Sequence, residues 1–229
     1  MSIVIRAGSR SMCISSKAIY ECVATTVCPT GRINSASIGV NVKIKEGKYI
    51  LKTHIYEGSD TARNILYFYK DKRNKISISF VCREDIDLVV FGALKGHASQ
   101  EKEFADSEYE YSRGVPYLKR GYITAICRLL KLKRKKKSDD LGEVFIYECY
   151  FIVEKWLAGK VKYCVEPISR ACGALLEAAI ETTRLLPSEK FAQTERRSMI
   201  ERFLSIANKT GSDYDRKIAK FILERIKEY

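Results

Sequence analysis

The hydrophobic period of this chain changes once, at Glu166-Pro167, and that change limits the fold more than any other feature. Before it, apolar residues fall in short β-rich runs separated by turn residues; after it, they recur at helical spacing. The first run, residues 20–27 (Tyr-Glu-Cys-Val-Ala-Thr-Thr-Val), is rich in strand formers, and Cys28-Pro29-Thr30-Gly31 supplies a turn. A second strand is expected over 33–45, with Gly39 marking a bulge or a close approach to the backbone. Glu46-Gly47 then turns the chain into a third strand over 48–54. Strands joined in series by short turns make a meander, the signature of an antiparallel sheet or barrel.

Further along, Ile76, Ile78 and Phe80 alternate with Ser77 and Ser79, the pattern of a half-buried strand. Residues 121–133 and 143–156 are two more apolar, β-rich runs. They predict a long hairpin whose solvated tip carries the basic cluster from Lys131 to Lys137. Residues 60–70 read as a helix, and 85–94 as a short helix or strand. The polar stretch 95–115 reads as a surface connection, and residues 1–17 as a loosely ordered lead-in.

After Pro167, Cys172, Leu175, Leu176, Ala179, Ile180 and Thr183 form one stripe of an amphipathic helix ending near Pro187. Arg170, Glu177, Glu181 and Arg184 share the opposite face. Two further helices are expected over 188–208 and 212–229, parted by Lys209-Thr210-Gly211. The fold class is therefore β-rich α+β. A barrel-forming part over 1–165 is expected to be followed by a C-terminal helical unit over 166–229 packed on it.

Composition excludes several functions. The longest apolar stretch, 144–153, is interrupted by Glu148 and falls short of the roughly 20 residues that span a bilayer. The N-terminus lacks the apolar core of a signal peptide, so no membrane association and a cytoplasmic location are expected. Eight cysteines form no Cys-x-x-Cys pair and the histidines are only His54 and His97, so no metal site is expected. Reduced thiols in apolar surroundings, such as Cys127, are expected instead. The net charge of +13 favours an anionic partner. The basic cluster has no interleaved aromatics in sequence and matches no RNA-binding motif, so nucleic acid is not expected.

No nucleophile and base, phosphate-binding glycine loop or nucleophile elbow can be drawn, and the catalytic residues stay unassigned. One stretch does carry chemistry. Residues 36–58 lead into Ser59-Asp60-Thr61-Ala62-Arg63-Asn64, where Ser59 or Asp60 can cap a helix. Such a start offers unpaired backbone N–H groups, hydroxyl donors and the positive end of the dipole, the components of a phosphate site.

Three runs together carry a resemblance: Glu21-Cys22-Val23-Ala24-Thr25-Thr26-Val27, then Gly31-Arg32-Ile33-Asn34-Ser35-Ala36-Ser37-Ile38-Gly39-Val40, then Gly58 to Asn64. With Glu177-Ala178-Ala179-Ile180-Glu181-Thr182-Thr183-Arg184, they resemble a mainly archaeal family of uncharacterised flavoproteins. That family belongs to the FMN-binding split-barrel superfamily, related in fold to flavin reductases and pyridoxamine-phosphate oxidases. The resemblance covers residues 20–186 and implies an antiparallel split β-barrel with non-covalent FMN, usually near a homodimer interface. It implies that Asn34, Ala36, Ser37, Gly39 and Val40 lie along the flavin, largely through backbone groups. Ser59, Thr61 and Asn64 would hold the phosphate and ribityl chain, and Arg184 would add a phosphate or substrate contact. Relatives often carry proline at the place of Ser37, and asparagine is expected at the place of Cys82. The implied function is an oxidoreductase or flavin reductase, with a nicotinamide or other electron donor. A bound flavin performs the redox chemistry itself, so no catalytic side chain is required. The rival reading is a non-enzymatic module using the Lys131 to Lys137 region and the helical unit to bind nucleic acid or an acidic protein.

Overall fold

The computed structural model describes residues 2–69, 75–94, 104–139, 142–159, 167–183 and 190–226. Residues 2–15 form a hairpin of β1 (Ser2–Ala7) and β2 (Arg10–Ser15), not the loose lead-in expected. Ile3, Ile5, Ala7, Met12 and Ile14 alternate inward along it, a pattern masked in sequence by the serines and arginines between them. Gly8 turns the hairpin at φ +57.

The expected meander is present as β3 (Tyr20–Val27), β4 (Ile33–Lys45) and β5 (Lys48–Tyr56). Register runs unshifted from Tyr20↔Val40 to Val27↔Ile33 and from Val40↔Thr53 to Lys45↔Lys48, so Gly39 makes no bulge. Helix α1 (Asp60–Tyr69) follows β5, β6 (Lys75–Phe80) pairs with β3, and α2 (Ile86–Leu94) follows a 3-10 turn at Arg83–Asp85.

Within the stretch anticipated as a surface connection, β7 (Tyr109–Ser112) and β8 (Val115–Leu118) pair as a tight hairpin with Arg113 and Gly114 at positive φ. Its buried residues, Tyr109, Val115 and Leu118, were concealed by the acidic residues before them. The long hairpin consists of β9 (Ile123–Asp139) and β10 (Gly142–Ala158). Lys131 to Lys137 lie within strand β9, not in a loop at the tip, because each is paired in register with β10 from Val144 to Tyr150.

Six strands close into an antiparallel barrel in the order β10-β5-β4-β3-β6-β9. Cys22, Ala24, Ile38, Val40, Leu51, Ile78, Phe80, Ile123 and Phe151 are buried with period-2 spacing and form its interior. The opposite side of β3 and its neighbours is covered by a second cluster, in which Val23, Val81, Leu88, Phe104, Tyr109 and Leu118 pack together. Thus one stretch of barrel wall, around β3 and β4, has apolar cover on both faces.

The chain divides into two compact units: residues 2–14 with 20–168, and residues 15–19 with 169–229. In the second, α3 (Arg170–Thr183), α4 (Lys190–Thr210) and α5 (Asp213–Ile226) share a core of Ala171, Leu175, Ala178, Ile200, Leu204 and Ile222. Gly211 is required between the last two helices, since a Cβ there would lie 2.5 Å from the Ala207 carbonyl oxygen. Ser212 and Asp215 cap α5 reciprocally: the Ser212 N–H donates to Asp215 Oδ2 at 2.6 Å and the Asp215 N–H to Ser212 Oγ at 3.3 Å.

Cys13, Cys22, Cys28, Cys127, Cys149 and Cys172 are free thiols, of which Cys22, Cys127 and Cys149 are buried. Cys82 is disulfide-bonded, which corrects the expectation at that residue.

Candidate functional site

Helix α1 begins where the sequence places its cap. Ser59 Oγ accepts from the Ala62 N–H at 3.1 Å and donates to the Tyr56 carbonyl at 2.8 Å, while the Arg63 N–H reaches the Ser59 carbonyl at 3.0 Å. Ser59 is therefore the N-cap: it takes the Ala62 and Arg63 N–H groups, and the positive end of the helix dipole lies at Ser59 and Asp60. Asp60 adds a carboxylate in that turn, and both Arg32 and Arg63 pair with it, Arg32 at 3.9 Å. Arg63 Nη1 also donates to the Gly58 carbonyl at 3.4 Å. Two guanidiniums and a helix start thus meet at one place, on half-exposed or exposed residues.

Behind this mouth, a buried polar network fastens α1 to the barrel wall. Asn34 Nδ2 donates to Thr61 Oγ1 at 3.0 Å and to Thr26 Oγ1 at 3.3 Å, and Asn64 Nδ2 donates to Thr26 Oγ1 at 3.0 Å. Thr26 Oγ1 in turn donates to the Asn34 carbonyl at 3.4 Å. All four residues are at most 5% exposed. Buried amides and hydroxyls that satisfy one another fix a single arrangement, since each displaced group would lose its partner without gaining water. The network therefore makes the start of α1 a preorganised feature.

The structure brings Asn34, Thr61 and Asn64 together, with Ser59 one turn away at the surface. It places the other residues differently. Val40 points into the barrel at 0% exposure, so only its backbone could meet a ligand. Ser37 donates to the Val89 carbonyl of α2, and a Cβ on Gly92 would lie 2.9 Å from Ser37 Oγ. Helix α2 thus lies against Ala36 and Ser37. Gly39 is half-buried on β4 opposite Glu21, and Arg184 lies outside the described residues.

Thr26, Arg32 and Arg63 were not singled out by the sequence reading. Arg63 could have been found from its i, i+3 spacing to Asp60, and Arg32 from its place after the Gly31 turn. Thr26 had no local signal, because its role follows from the register Thr26↔Asn34. Arg32 also bears on Cys28, whose thiol is hydrogen-bonded to Thr30 at 2.9 Å. Burial would raise this thiol, but the Thr30 hydrogen bonds, the backbone and the Arg32 charge outweigh it and hold it below its usual value.

Among the described residues, no group of His, Cys, Asp and Glu could hold a metal ion, and no helix is long and apolar enough to cross a membrane. No protein-family model matches the chain, and no curated protein matches it. Among solved structures, it is similar to an FMN-bound protein of Methanosarcina mazei assigned to a family of unknown function. That likeness has 24% identity and a TM-score of 0.46 and covers 91% of this chain and 95% of the other. It is also similar to component B of nitrilotriacetate monooxygenase from Bacillus cereus, at 16% identity and TM-score 0.48 over 68% of this chain and 77% of that one. A flavoredoxin of Methanosarcina acetivorans gives 11% identity and TM-score 0.46 over 71% and 80% of the two chains. These likenesses concern the path of the chain, and the chemistry of the site rests on its own residues.

Proposed function

We propose that this protein is a flavoprotein that binds FMN non-covalently, with the phosphate at the start of α1, and serves as an oxidoreductase or flavin reductase. The observation that carries the reading is the capped helix start flanked by Arg32 and Arg63 and fastened to β3 and β4 by the Thr26, Asn34, Thr61 and Asn64 network. The donor set fits a phosphate: backbone N–H groups of the first turn, the positive end of a helix dipole and two guanidiniums able to form charge-assisted hydrogen bonds. It fits FMN rather than riboflavin, which brings no such charge.

In this reading FMN, when bound, supplies the hydride and electron transfer. The chain's own residues bind and orient. Arg32, Arg63 and the first N–H groups of α1 hold the phosphate, and Ser59 caps the turn that presents them. Thr61 and Asn64 keep the helix start in place, and the half-buried backbone of β4 near Gly39 is the part of the strand assigned to the rest of the cofactor. Asp60 holds both arginines at the mouth, so little side-chain ordering remains to be done on binding. A nicotinamide electron donor and a homodimeric assembly belong to the same proposal, as the resemblance implies, and so does an organisation of barrel domain followed by helical unit.

An absorbance spectrum of the purified protein tests the reading. A yellow protein that releases FMN on denaturation, and loses its colour in a Thr61→Ala/Asn64→Ala variant, is the expected result. A colourless protein that fails to take up added FMN overturns it. Oxidation of NADH or NADPH by the yellow protein would assign it a reductase role; absence of turnover with FMN bound would leave FMN as a sensory or structural ligand.

A further inference from the structure

The basic cluster acquires in the fold what it lacks in sequence. Lys131, Lys133, Lys135 and Lys137 occupy alternate positions of β9, so they share one face of the strand. Cross-strand register extends that face over two more strands: Lys135 lies beside Ile146 and Tyr56, Lys133 beside Glu148 and His54, and Lys131 beside Tyr150 and Lys52. The barrel interior takes the intervening residues, Leu51, Thr53, Cys149 and Phe151, so this is the outer face. On it, Tyr56 is 58% exposed, His54 is exposed and Tyr150 is half-buried beneath Lys52, whose ammonium lies 5.6 Å from the ring centroid.

Charge on the two faces of the β9–β10 ribbon is unequal. On the opposite face, Arg134 is paired with Glu57 and Lys136 with Glu143. On the outer face, Glu148 is shared by Lys52 at 2.8 Å, Lys135 at 3.0 Å and His54 at 3.5 Å, and Glu154, farther along β10, is taken by Lys75 at 2.8 Å and Arg128 at 3.2 Å. Lys131 and Lys133 are exposed and have no ion-pair partner among the described residues.

We infer that this outer face of β9, β10 and β5 binds single-stranded nucleic acid. Alternate strand residues lie roughly 6.5 Å apart, close to the spacing of successive phosphates in an extended strand. A row of lysines with that repeat can follow a backbone, while Tyr56 and His54 offer π-faces on which unpaired bases stack. A duplex would hide its base faces from those rings, and an acidic protein would need neither the repeat nor the rings. The inference stands apart from the flavin reading, since none of the residues proposed to hold the phosphate takes part and Tyr56 lends the Ser59 cap only its backbone carbonyl.

The test is fluorescence anisotropy of a labelled oligouridylate with the full-length protein. Binding should weaken with salt, with a slope in log–log form of about −3 for some four phosphate contacts. Lys131→Gln/Lys133→Gln should weaken binding about tenfold at low salt and lower the magnitude of the slope by roughly 1.4. Arg134→Gln/Lys136→Gln removes equal charge from the other face and should leave both nearly unchanged. Tyr56→Ala should weaken binding while preserving the slope. Unchanged thermal unfolding of each variant confirms that the fold is kept. Failure of the wild type to bind, equal weakening by the two lysine and arginine pairs, equal affinity for duplex, or displacement by polyglutamate at equal charge would each overturn the inference.

Discussion

Asn34 on β4 donates its side-chain amide to the Thr61 hydroxyl on α1 at 3.0 Å, with both residues buried, and so joins the barrel wall to the helix start proposed to hold a phosphate. Neither residue is at the surface. Their effect on binding is through position: they set where the α1 N–H groups point.

Thr61→Val keeps the shape of the side chain and removes the acceptor, leaving Asn34 Nδ2 with Thr26 alone. Loss of one buried hydrogen bond should cost about 1–2 kcal/mol. A double-mutant cycle with Asn34→Ala, read by thermal unfolding, should give a coupling of about 1 kcal/mol. Additive effects would show that the pair does not join helix to wall.

Thr53 presents the opposite case. Its Oγ1 is buried in the barrel and has no hydrogen-bond partner among the described residues, as is also true of Trp156 Nε1. Thr53→Val should therefore stabilise the protein by about 1 kcal/mol, since it removes an unpaired hydroxyl at constant volume. A lower unfolding temperature would contradict the assignment.

Glu148 is nearly buried, which by itself would raise its carboxyl, but hydrogen bonds from Lys52, Lys135 and Tyr150 outweigh burial and hold it well below the ordinary 4.5. A carboxyl depressed on folding contributes stability that is fully present above the unfolded value and is lost as pH falls through the folded one. Glu148→Gln should thus cost about 2 kcal/mol at neutral pH. The gap from wild type should narrow as pH falls below 4.5, read as unfolding temperature against pH. A gap independent of pH would contradict the ion cluster.

Thiol reactivity should follow the local environments. Cys28, held low beside Thr30 and Arg32, should be the first cysteine alkylated at neutral pH. Cys22 and Cys127, raised by burial, and Cys149, pushed up to about 12 by burial, should stay unmodified until the protein unfolds. Peptide mapping by mass spectrometry after brief alkylation checks the order.

Much of this architecture was legible because period and turn chemistry agreed. Tyr20 to His54 reads as strands punctuated by Gly31 and Gly47, and the stripe from Cys172 to Thr183 reads as a helix. The β1–β2 and β7–β8 hairpins were missed where polar composition hid short alternations around Ile3, Ile5, Val115 and Leu118. At the site, the Ser59 cap was visible as a local pattern. The part of Thr26 was not, because it depends on pairing with Asn34 across a strand register. Likewise, Tyr56 and His54 join the lysines of β9 only through β10, so no window of sequence contains that face.

The central claim is that α1 receives a phosphate, and comparison of FMN with riboflavin tests it most directly. Flavin-fluorescence titration of the apoprotein should show FMN bound at least about tenfold more tightly than riboflavin, as charge-assisted contacts require. Arg32→Ala/Arg63→Ala should remove that preference and leave riboflavin affinity unchanged. Equal affinities for the two flavins in the wild-type protein, or no binding of either, would contradict the account.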